Sequence, residues 1–289
     1  MYHLIQTKVQ LIIASVLLCA TLLLPAAAHA QGFISNSTYI GGNRTENKSY
    51  FTKGDNSESY LLGASDSTGG NTSASGNTYP ITLGVPTLAV QSMVLTKLDA
   101  NTNIVWSRFV GGSKSDSPTD IKYANGFVYI IGNTQSADYP VTNGTTLATG
   151  YKTPFYTKLD ATTGQIVFST YLIGNSYSRG IQVVNGGVYI TSQLANASGN
   201  YDDIRVTKYD AATDALLFNV TYGGTNQDNY AAGSEAFAVA GNDVYIVGST
   251  YSTDFPVTNG STLRASNNMT YLKLNATTRS EERRGGKEC

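Results

Sequence analysis

The sequence predicts an all-β fold assembled from repeated four-stranded antiparallel units, and three observations predict it. The composition is rich in Gly, Ser, Thr, Asn and Tyr, which suits short strands and turns. Three series of short motifs recur in one order, with a period of about 50 to 65 residues. Helical periodicity is nowhere apparent. Four strands per repeat of this length predict a β-propeller in which each repeat forms one blade, with about four blades present.

The first thirty residues have the build of a secretory signal peptide. Lys8 precedes an apolar run at 11–24, which Pro25 breaks. Ala28 and Ala30 then supply small residues at the positions −3 and −1 of a cleavage site, so we expect cleavage after Ala30. The apolar run is shorter than the about 20 residues that a membrane-spanning helix needs. The mature chain is therefore predicted to be secreted or held at the cell surface, without a transmembrane span.

The last eleven residues, 279–289, differ from everything upstream. Seven of the eleven are charged, against 13% of the whole chain. They resemble the translated read-through of a sequencing adapter, and they interrupt a copy of the repeat. We expect 279–289 to be an artefact and the propeller ring to be incomplete, with a natural solvated tail as the alternative.

The composition between these two ends, at 31–278, excludes several kinds of catalytic site. This segment contains no Cys and no His. A Ser-His-Asp triad, a Cys–His pair, a histidine zinc site and a histidine general base are therefore excluded from it. Nine Lys and five Arg stand against fourteen Asp and three Glu without a basic run, so nucleic acid is not an expected partner. No catalytic residue, cofactor, cofactor-binding residue or metal ligand is predicted.

The repeats can be counted along the chain. A first motif series reads "TKLDA", "TKLDA", "TKYDA" and "LKLNA", and it contains Lys97, Lys158, Lys208 and Lys273. A second series includes "FVYIIGNT" and "DVYIVGST", and a third includes "STYLIG" and "VTYGG". The segment at 32–42 matches a fourth strand and is predicted to close the ring. The predicted units are roughly 43–108, 109–170, 171–220 and 221–278.

Each unit is predicted to contain four strands, and the second unit shows them best. An Asn-Gly pair at 125–126 is a strong two-residue hairpin signal. The strand that follows is almost wholly apolar, as expected of a strand buried on both faces. The four strands of this unit are predicted at 120–124, 127–132, 153–159 and 165–171.

The heptapeptide "DYPVTNG" at 138–144 returns as "DFPVTNG" at 254–260, two periods later. A degenerate copy, "TYPITLG", stands at 78–84. The third unit reads "LANASGNYD" at 194–202 instead, so its connection is trimmed. The heptapeptide is predicted to lie in a long connection after the second strand of each unit.

Particular roles follow for the residues of this heptapeptide. We expect Tyr139 and Phe255 to pack beneath the connection as an anchor, with ligand contact as the alternative. Asp138 and Asp254 are predicted to cap turns. Calcium binding is the alternative for both aspartates, although no D-x-[DN]-x-[DN]-G loop surrounds them.

Other repeated side chains are also predicted to be structural. The four repeated lysines are expected to be solvated or stacked on an aromatic neighbour. Packing within the blades is predicted for Tyr129, Tyr189 and Tyr245. Carboxylates that a glycosidase could use are few, and sequence does not show whether they converge. They are Glu46, Glu58 and Glu235, with Asp116, Asp120 and Asp228 after the Gly-Gly turns.

The segments "STYLIG", "NGGVYIT", "STDFPVTNG" and "YTKLDATTG" resemble the bacterial SBBP-type β-propeller repeat. The resemblance covers about 33–278. The third unit departs from it by lacking the heptapeptide, and the first carries a polar insertion at 65–78. This resemblance implies a secreted or surface propeller of bacterial origin, and it implies no single activity.

Three classes of function follow. The favoured class is a non-catalytic binding or scaffold module whose partner is an extracellular protein or glycan. The alternatives are a fragment of a carbohydrate-active or other extracellular enzyme, and a purely structural adhesin repeat. Asn-x-Ser/Thr sequons, as at Asn43, Asn143 and Asn268, are interpreted as a product of composition.

Overall fold

A computed structural model of the protein describes most of the segment that follows the predicted closing strand. The described residues are 46–65, 81–83, 91–147, 152–172, 176–195, 201–230, 236–260, 262 and 268–277. The predicted signal peptide, the closing strand at 32–42, Asn43, Glu235, most of the insertion at 65–78 and the tail at 279–289 lie outside them.

Seventeen strands form four sheets within the described residues. The first sheet is antiparallel in the order β1-β2-β4-β5, and the short β3 adds to the outer side of β5 in parallel. Its strands are β1 (Glu46–Lys53), β2 (Ser59–Ser65), β3 (Ile81–Leu83), β4 (Ser92–Leu98) and β5 (Ile104–Val110).

The second and third sheets repeat this order without an added strand, and each is antiparallel throughout. The second contains β6 (Asp116–Ala124), β7 (Phe127–Thr134), β8 (Thr153–Asp160) and β9 (Ile166–Tyr171). The third contains β10 (Ser176–Val184), β11 (Gly187–Ala195), β12 (Tyr201–Asp210) and β13 (Leu216–Tyr222).

The fourth sheet has an interrupted first strand. Both β14 and β15 pair with β16, at opposite ends of it, so they act together as one strand. A third strand, β17, pairs along the other side of β16. The strands are β14 (Asp228–Tyr230), β15 (Phe237–Ala240), β16 (Asp243–Thr250) and β17 (Asn268–Asn275).

Successive sheets pack face to face. The first strands follow one another, since β6 contacts both β1 and β10, and β10 contacts β15. Three apolar clusters fill the spaces between the first and second, second and third, and third and fourth sheets. Each sheet is thus one blade, and the predicted β-propeller of four-stranded antiparallel blades is confirmed.

Local sequence explains the second-sheet hairpin. Asn125 and Gly126 have φ angles of 51° and 79°, which two-residue hairpin turns require and which Asn and Gly adopt most readily. Val128 to Ile131 on β7 are buried without alternation because apolar clusters cover both faces of the strand. The hairpin and the doubly buried strand are confirmed.

The start of β6 differs from its prediction. The strand begins at Asp116, four residues before the predicted position 120. A register shift between Pro118 and Asp120 marks a bulge, which breaks the alternation by which a strand is recognised. No helix in the described part of the chain is long and apolar enough to cross a membrane.

Candidate functional site

The two ends of the sheets differ in their connections. At one end, which we call the turn end, the links are all short, from two to five residues, at 54–58, 99–103, 125–126, 161–165, 185–186, 211–215 and 241–242. At the other, the loop end, second and third strands are joined by segments of very different length. These are 66–91, 135–152, 196–200 and 251–267.

A polar network organises the loop end of the second sheet. The backbone N–H of Gly112 donates to Asp116 Oδ2 over 2.8 Å, and that of Ser113 donates to Asp138 Oδ1 over 2.7 Å. Ser136 Oγ accepts from the Lys114 N–H at 2.8 Å and donates to Asp116 Oδ2 at 3.1 Å. The link between the first and second sheets is therefore held by three side chains of the second sheet.

The fourth sheet repeats this network. Gly224, Thr225 and Asn226 donate their N–H groups to Asp228, Asp254 and Ser252, respectively. Both carboxylates on the heptapeptide are thus turn caps, as predicted. Ser136 and Ser252 were missed by the sequence analysis, although the shared spacing Thr-x-Ser-x-Asp was a usable signal.

Each network also requires its second glycine. A Cβ atom at Gly112 would lie 2.5 Å from Asp138 Oδ1, and one at Gly224 would lie 2.5 Å from Asp254 Oδ1. Both distances are shorter than any normal contact, so the repeated Gly-Gly reflects the close approach of the backbone to these capping carboxylates.

The aromatic residue of the heptapeptide is an anchor. Tyr139 is buried, its ring stacks on Phe155 at 4.5 Å between centroids, and its hydroxyl bonds to Thr157 Oγ1 at 3.0 Å. Phe255 is also buried. Both residues therefore pack beneath their connection, which confirms the structural interpretation.

The rest of the heptapeptide covers the outer edge of its sheet, which the sequence analysis did not predict. The Thr142 N–H donates to Ser169 O at 2.9 Å, and Asn143 Nδ2 donates to Thr170 Oγ1 at 2.9 Å. The degenerate copy acts in the same way, since its residues 81–83 form β3 along β5. Asn143, a sequon residue, thus has its side chain engaged in the fold.

The repeated lysines lie opposite repeated tyrosines. Each lysine is the register partner of a tyrosine on the preceding strand, and its Nζ lies 5.0 to 6.0 Å from that ring centroid. The pairs are Tyr60–Lys97, Tyr129–Lys158, Tyr189–Lys208 and Tyr245–Lys273. The predicted stacking of lysine on an aromatic neighbour is confirmed.

Lys158 is the most deeply buried of the four, at 2% exposed. Its Nζ donates to Ala211 O at 2.8 Å and pairs with Asp214 Oδ2 at 3.1 Å. Both acceptors belong to the third sheet, so Lys158 joins two blades. Phe127 lies beneath the same nitrogen, at 4.5 Å.

The carboxylates weighed for catalysis are held separately. Asp116 and Asp228 belong to the two loop-end networks, in different sheets. Asp120 accepts from the N–H of Ile181 at 3.1 Å and from Lys122 Nζ at 3.1 Å. Within the described residues, no three His, Cys, Asp or Glu side chains form a group that could hold a metal ion.

The two described glutamates also have separate positions. Glu58 pairs with Lys97 at 2.9 Å, at the turn end of the first sheet. Glu46 begins β1, and Glu235 lies outside the described residues. Asp116, Asp120, Asp228 and Glu58 are thus engaged one by one, by backbone N–H groups or by a lysine.

Asp116 gives a pH prediction. Burial raises the pKa of this carboxyl to about 6, although hydrogen bonds from Thr134, Gly112 and Ser136 favour its charged form. Between about pH 6 and the ordinary value of 3.8, the folded state therefore binds the proton and the unfolded state does not. We therefore expect the free energy of unfolding to rise as the pH falls through 6. Asp116→Asn has no carboxyl group at this position, so the variant should not show this rise. Denaturant unfolding of the parent protein and of Asp116→Asn between pH 6 and 3.8 measures the difference. If the free energy of unfolding changes with pH in the same way in both proteins, the prediction is wrong.

The outward face of the fourth sheet is apolar and exposed. Val247, Met269 and Tyr271 are 39%, 86% and 63% exposed. Equivalent positions can be found by their distance along the strand from the Tyr–Lys pair of each sheet. The residues at these positions in other sheets, in the same order, are Ile131, Ile204 and Tyr156, and all three are fully buried against the next sheet. Tyr245 on this face is half-buried, so its predicted packing between blades is only partial, whereas Tyr129 and Tyr189 are buried as predicted.

This face makes residues 31–278 prone to association. We expect this segment, expressed alone, to aggregate or to behave as a molten species, because exposed apolar side chains that share one face of a sheet favour association. Size-exclusion chromatography with light scattering, together with thermal unfolding, tests the expectation. A monodisperse monomer that melts cooperatively would contradict it.

The comparisons with known proteins give only distant structural likenesses. No protein-family model matches the chain, and no curated protein matches it. Hydrazine synthase of Kuenenia stuttgartiensis is similar in structure, with 9% identity, a TM-score of 0.44 and coverage of 86% of this chain and 67% of that one. Cobalt-substituted apocarotenoid oxygenase of Synechocystis matches with 9% identity, a TM-score of 0.41 and coverage of 81% and 48%.

BamB of Moraxella catarrhalis is similar at 14% identity and a TM-score of 0.32, with coverage of 80% of this chain and 59% of that one. The match to the oxygenase covers 48% of that protein, so this chain spans about half of its length. Likeness at this level does not bear on activity. The sheets and their repeated contacts define the chain as a protein of β-propeller blades.

Proposed function

We propose that the protein is a secreted or cell-surface β-propeller that acts as a non-catalytic binding or scaffold module for an extracellular protein or glycan. One observation carries the proposal. The turn-end links all have between two and five residues, whereas the loop-end connections vary in length from 196–200 to 66–91. A rigid repeated scaffold with variable connections at one end is typical of proteins whose loops carry recognition.

The use of the repeated polar residues supports the same proposal. The loop-end network recurs in two blades and the Tyr–Lys pair in four, and each joins elements of the fold. Asp116, whose pKa burial raises to about 6, is fully buried, so it has no surface to offer to a substrate. The predicted signal peptide and the resemblance to SBBP-type repeats support export from a bacterial cell.

An export experiment tests the location. The full chain, expressed in a bacterium with its own leader, is fractionated and its N-terminus sequenced. A mature protein that begins at Gln31 in the periplasm, medium or surface fraction agrees with the proposal. A protein that keeps residues 1–30 in the cytosol would overturn the assigned location.

A second experiment separates binding from catalysis. The exported protein is applied to glycan and extracellular-protein arrays, and the glycans that it retains are examined for cleavage. Retention of a glycan or a protein with no released product supports a binding module. Turnover of any retained glycan would favour the carbohydrate-active alternative.

A further inference from the structure

An Asn-Gly pair forms the tip of the first hairpin in both the second and the third sheet. Asn125 and Gly126 have φ angles of 51° and 79°, and Asn185 and Gly186 have φ angles of 52° and 70°. Both asparagines are exposed to solvent. The two tips share their sequence, their backbone conformation and their exposure, so a difference in their chemistry must come from the groups around them.

An Asn-Gly pair can change its own covalent structure. The backbone nitrogen of the glycine attacks Cγ of the asparagine side chain, ammonia leaves, and a succinimide ring forms. Water then opens the ring to aspartate or isoaspartate. Glycine favours the attack because it has no side chain to hinder it. The nitrogen must also lose its proton, and a neighbouring general base accelerates a proton transfer of this kind.

A tyrosine and an aspartate stand beside the glycine of the second-sheet tip. The Gly126 N–H donates to the Tyr123 hydroxyl, and this hydroxyl donates to Asp55 Oδ2 at 2.5 Å. The Tyr123 ring stacks on Tyr60, with 5.4 Å between the ring centroids, which holds the hydroxyl in place. The nitrogen that attacks is therefore linked through one hydroxyl to a carboxylate in the 54–58 turn of the first sheet.

The third-sheet tip has different groups at these positions. Val183 is the counterpart of Tyr123, since each lies two residues before its asparagine and pairs with the second residue of the next strand. Valine has no hydroxyl that could carry a proton. In addition, Asn185 Nδ2 donates to Gly241 O at 3.0 Å, so the fourth-sheet tip holds the amide that would have to react.

We propose that Asn125 is a site of self-catalysed deamidation. Tyr123 accepts the proton of the Gly126 nitrogen while its own proton passes to Asp55, and the nitrogen then attacks Cγ of Asn125. The proton returns through Tyr123 to the side-chain amide, which leaves as ammonia. Water reaches this exposed turn and opens the succinimide, so the product is an aspartate or isoaspartate at 125 that adds one negative charge to the turn end.

Tyr123 is the catalytic residue of this reaction, because it contacts the attacking nitrogen, and Asp55 acts through it. The inference goes beyond the proposed binding function and does not depend on it.

The first test uses the exported full chain without any substitution. The chain is incubated in neutral buffer, and peptide mapping by mass spectrometry follows the conversion of each amide to an acid over time. Fragment ions assign the change to one asparagine. We expect Asn125 to deamidate at least about tenfold faster than Asn185, because only Asn125 has the hydroxyl and the carboxylate beside its glycine.

Two variants test the proton path. Tyr123→Phe keeps the stacked ring and removes the hydroxyl, and Asp55→Asn keeps an acceptor for the hydroxyl and removes the base. We expect each to slow Asn125 about tenfold relative to Asn185 in the same molecule. A purely structural role for the hydroxyl has the opposite sign, since a looser turn closes the ring more easily.

The ratio of the two rates decides the outcome, because a variant that loosens the whole fold changes both asparagines. A ratio well above one in the parent that falls in both variants supports the proposal. Equal rates at Asn125 and Asn185 in the parent overturn it without any variant. A ratio that Tyr123→Phe leaves unchanged or raises also overturns it, and the turn is then modified only through its own flexibility.

Discussion

Lys158→Ala is expected to lower the free energy of unfolding by about 3–5 kcal/mol. The ammonium group is almost fully buried between two blades, and its removal takes the cation away from Asp214, which keeps only the Tyr156 hydroxyl, and the donor away from the Ala211 carbonyl. Asp214 is itself largely buried, at 12% side-chain exposure, so water cannot fully replace the lysine. Urea unfolding followed by tryptophan fluorescence and circular dichroism measures the loss.

The repeat supplies a matched control for this variant. Lys273 occupies the same position in the fourth sheet, but its pair with Asp243 is more exposed, at 32% and 24% for the two side chains. Lys273→Ala is therefore expected to cost only about 0–1 kcal/mol. Equal losses in the two variants would show that Lys158 does not hold two blades together.

Tyr139→Ala is expected to cost a similar amount, about 3–5 kcal/mol. The substitution leaves a cavity beside Phe155 and also releases the segment that covers β9. Hydrogen exchange at the Ser169 and Tyr171 amides should therefore become faster in this variant, because their partners on the connection are no longer held in place.

Two further variants isolate the anchor. Tyr139→Phe keeps the ring and loses only the bond to Thr157, so about 1 kcal/mol is expected. Val257→Ala changes an exposed residue in the other copy of the heptapeptide and should stay within about 0.5 kcal/mol. If Tyr139→Ala costs no more than Tyr139→Phe, the aromatic ring is not an anchor.

Local signals were enough to predict much of the fold. The Asn125-Gly126 hairpin depends on the φ angles of two adjacent residues, and the doubly buried strand β7 shows itself in its own composition. Because the same motifs recur in each unit, a prediction made for one blade applied to the others. For the same reason, the stacking of Lys158 on an aromatic residue could be predicted from a motif that recurs.

Pairings between distant segments could not be predicted in this way. The likeness of "TYPITLG" to "DYPVTNG" indicated equivalent segments, but it did not indicate that both lie along the outer strand of their own sheet. Asp214 stands 56 residues after Lys158, in a turn of the next blade, and no local pattern connects them. The separate positions of Asp116 and Asp120 likewise depend on the register across a bulge.

The central claim is that the residues that recur between blades hold the fold and leave recognition to the loop end. Lysine acetylation of the native chain, followed by mass spectrometry over time, tests it most directly without any substitution. Lys158 and Lys97 should react slowest, since both are buried and paired, while the exposed Lys53 and Lys114 should react fast. If Lys158 reacts as fast as Lys53, the repeated lysines face solvent and the account is wrong.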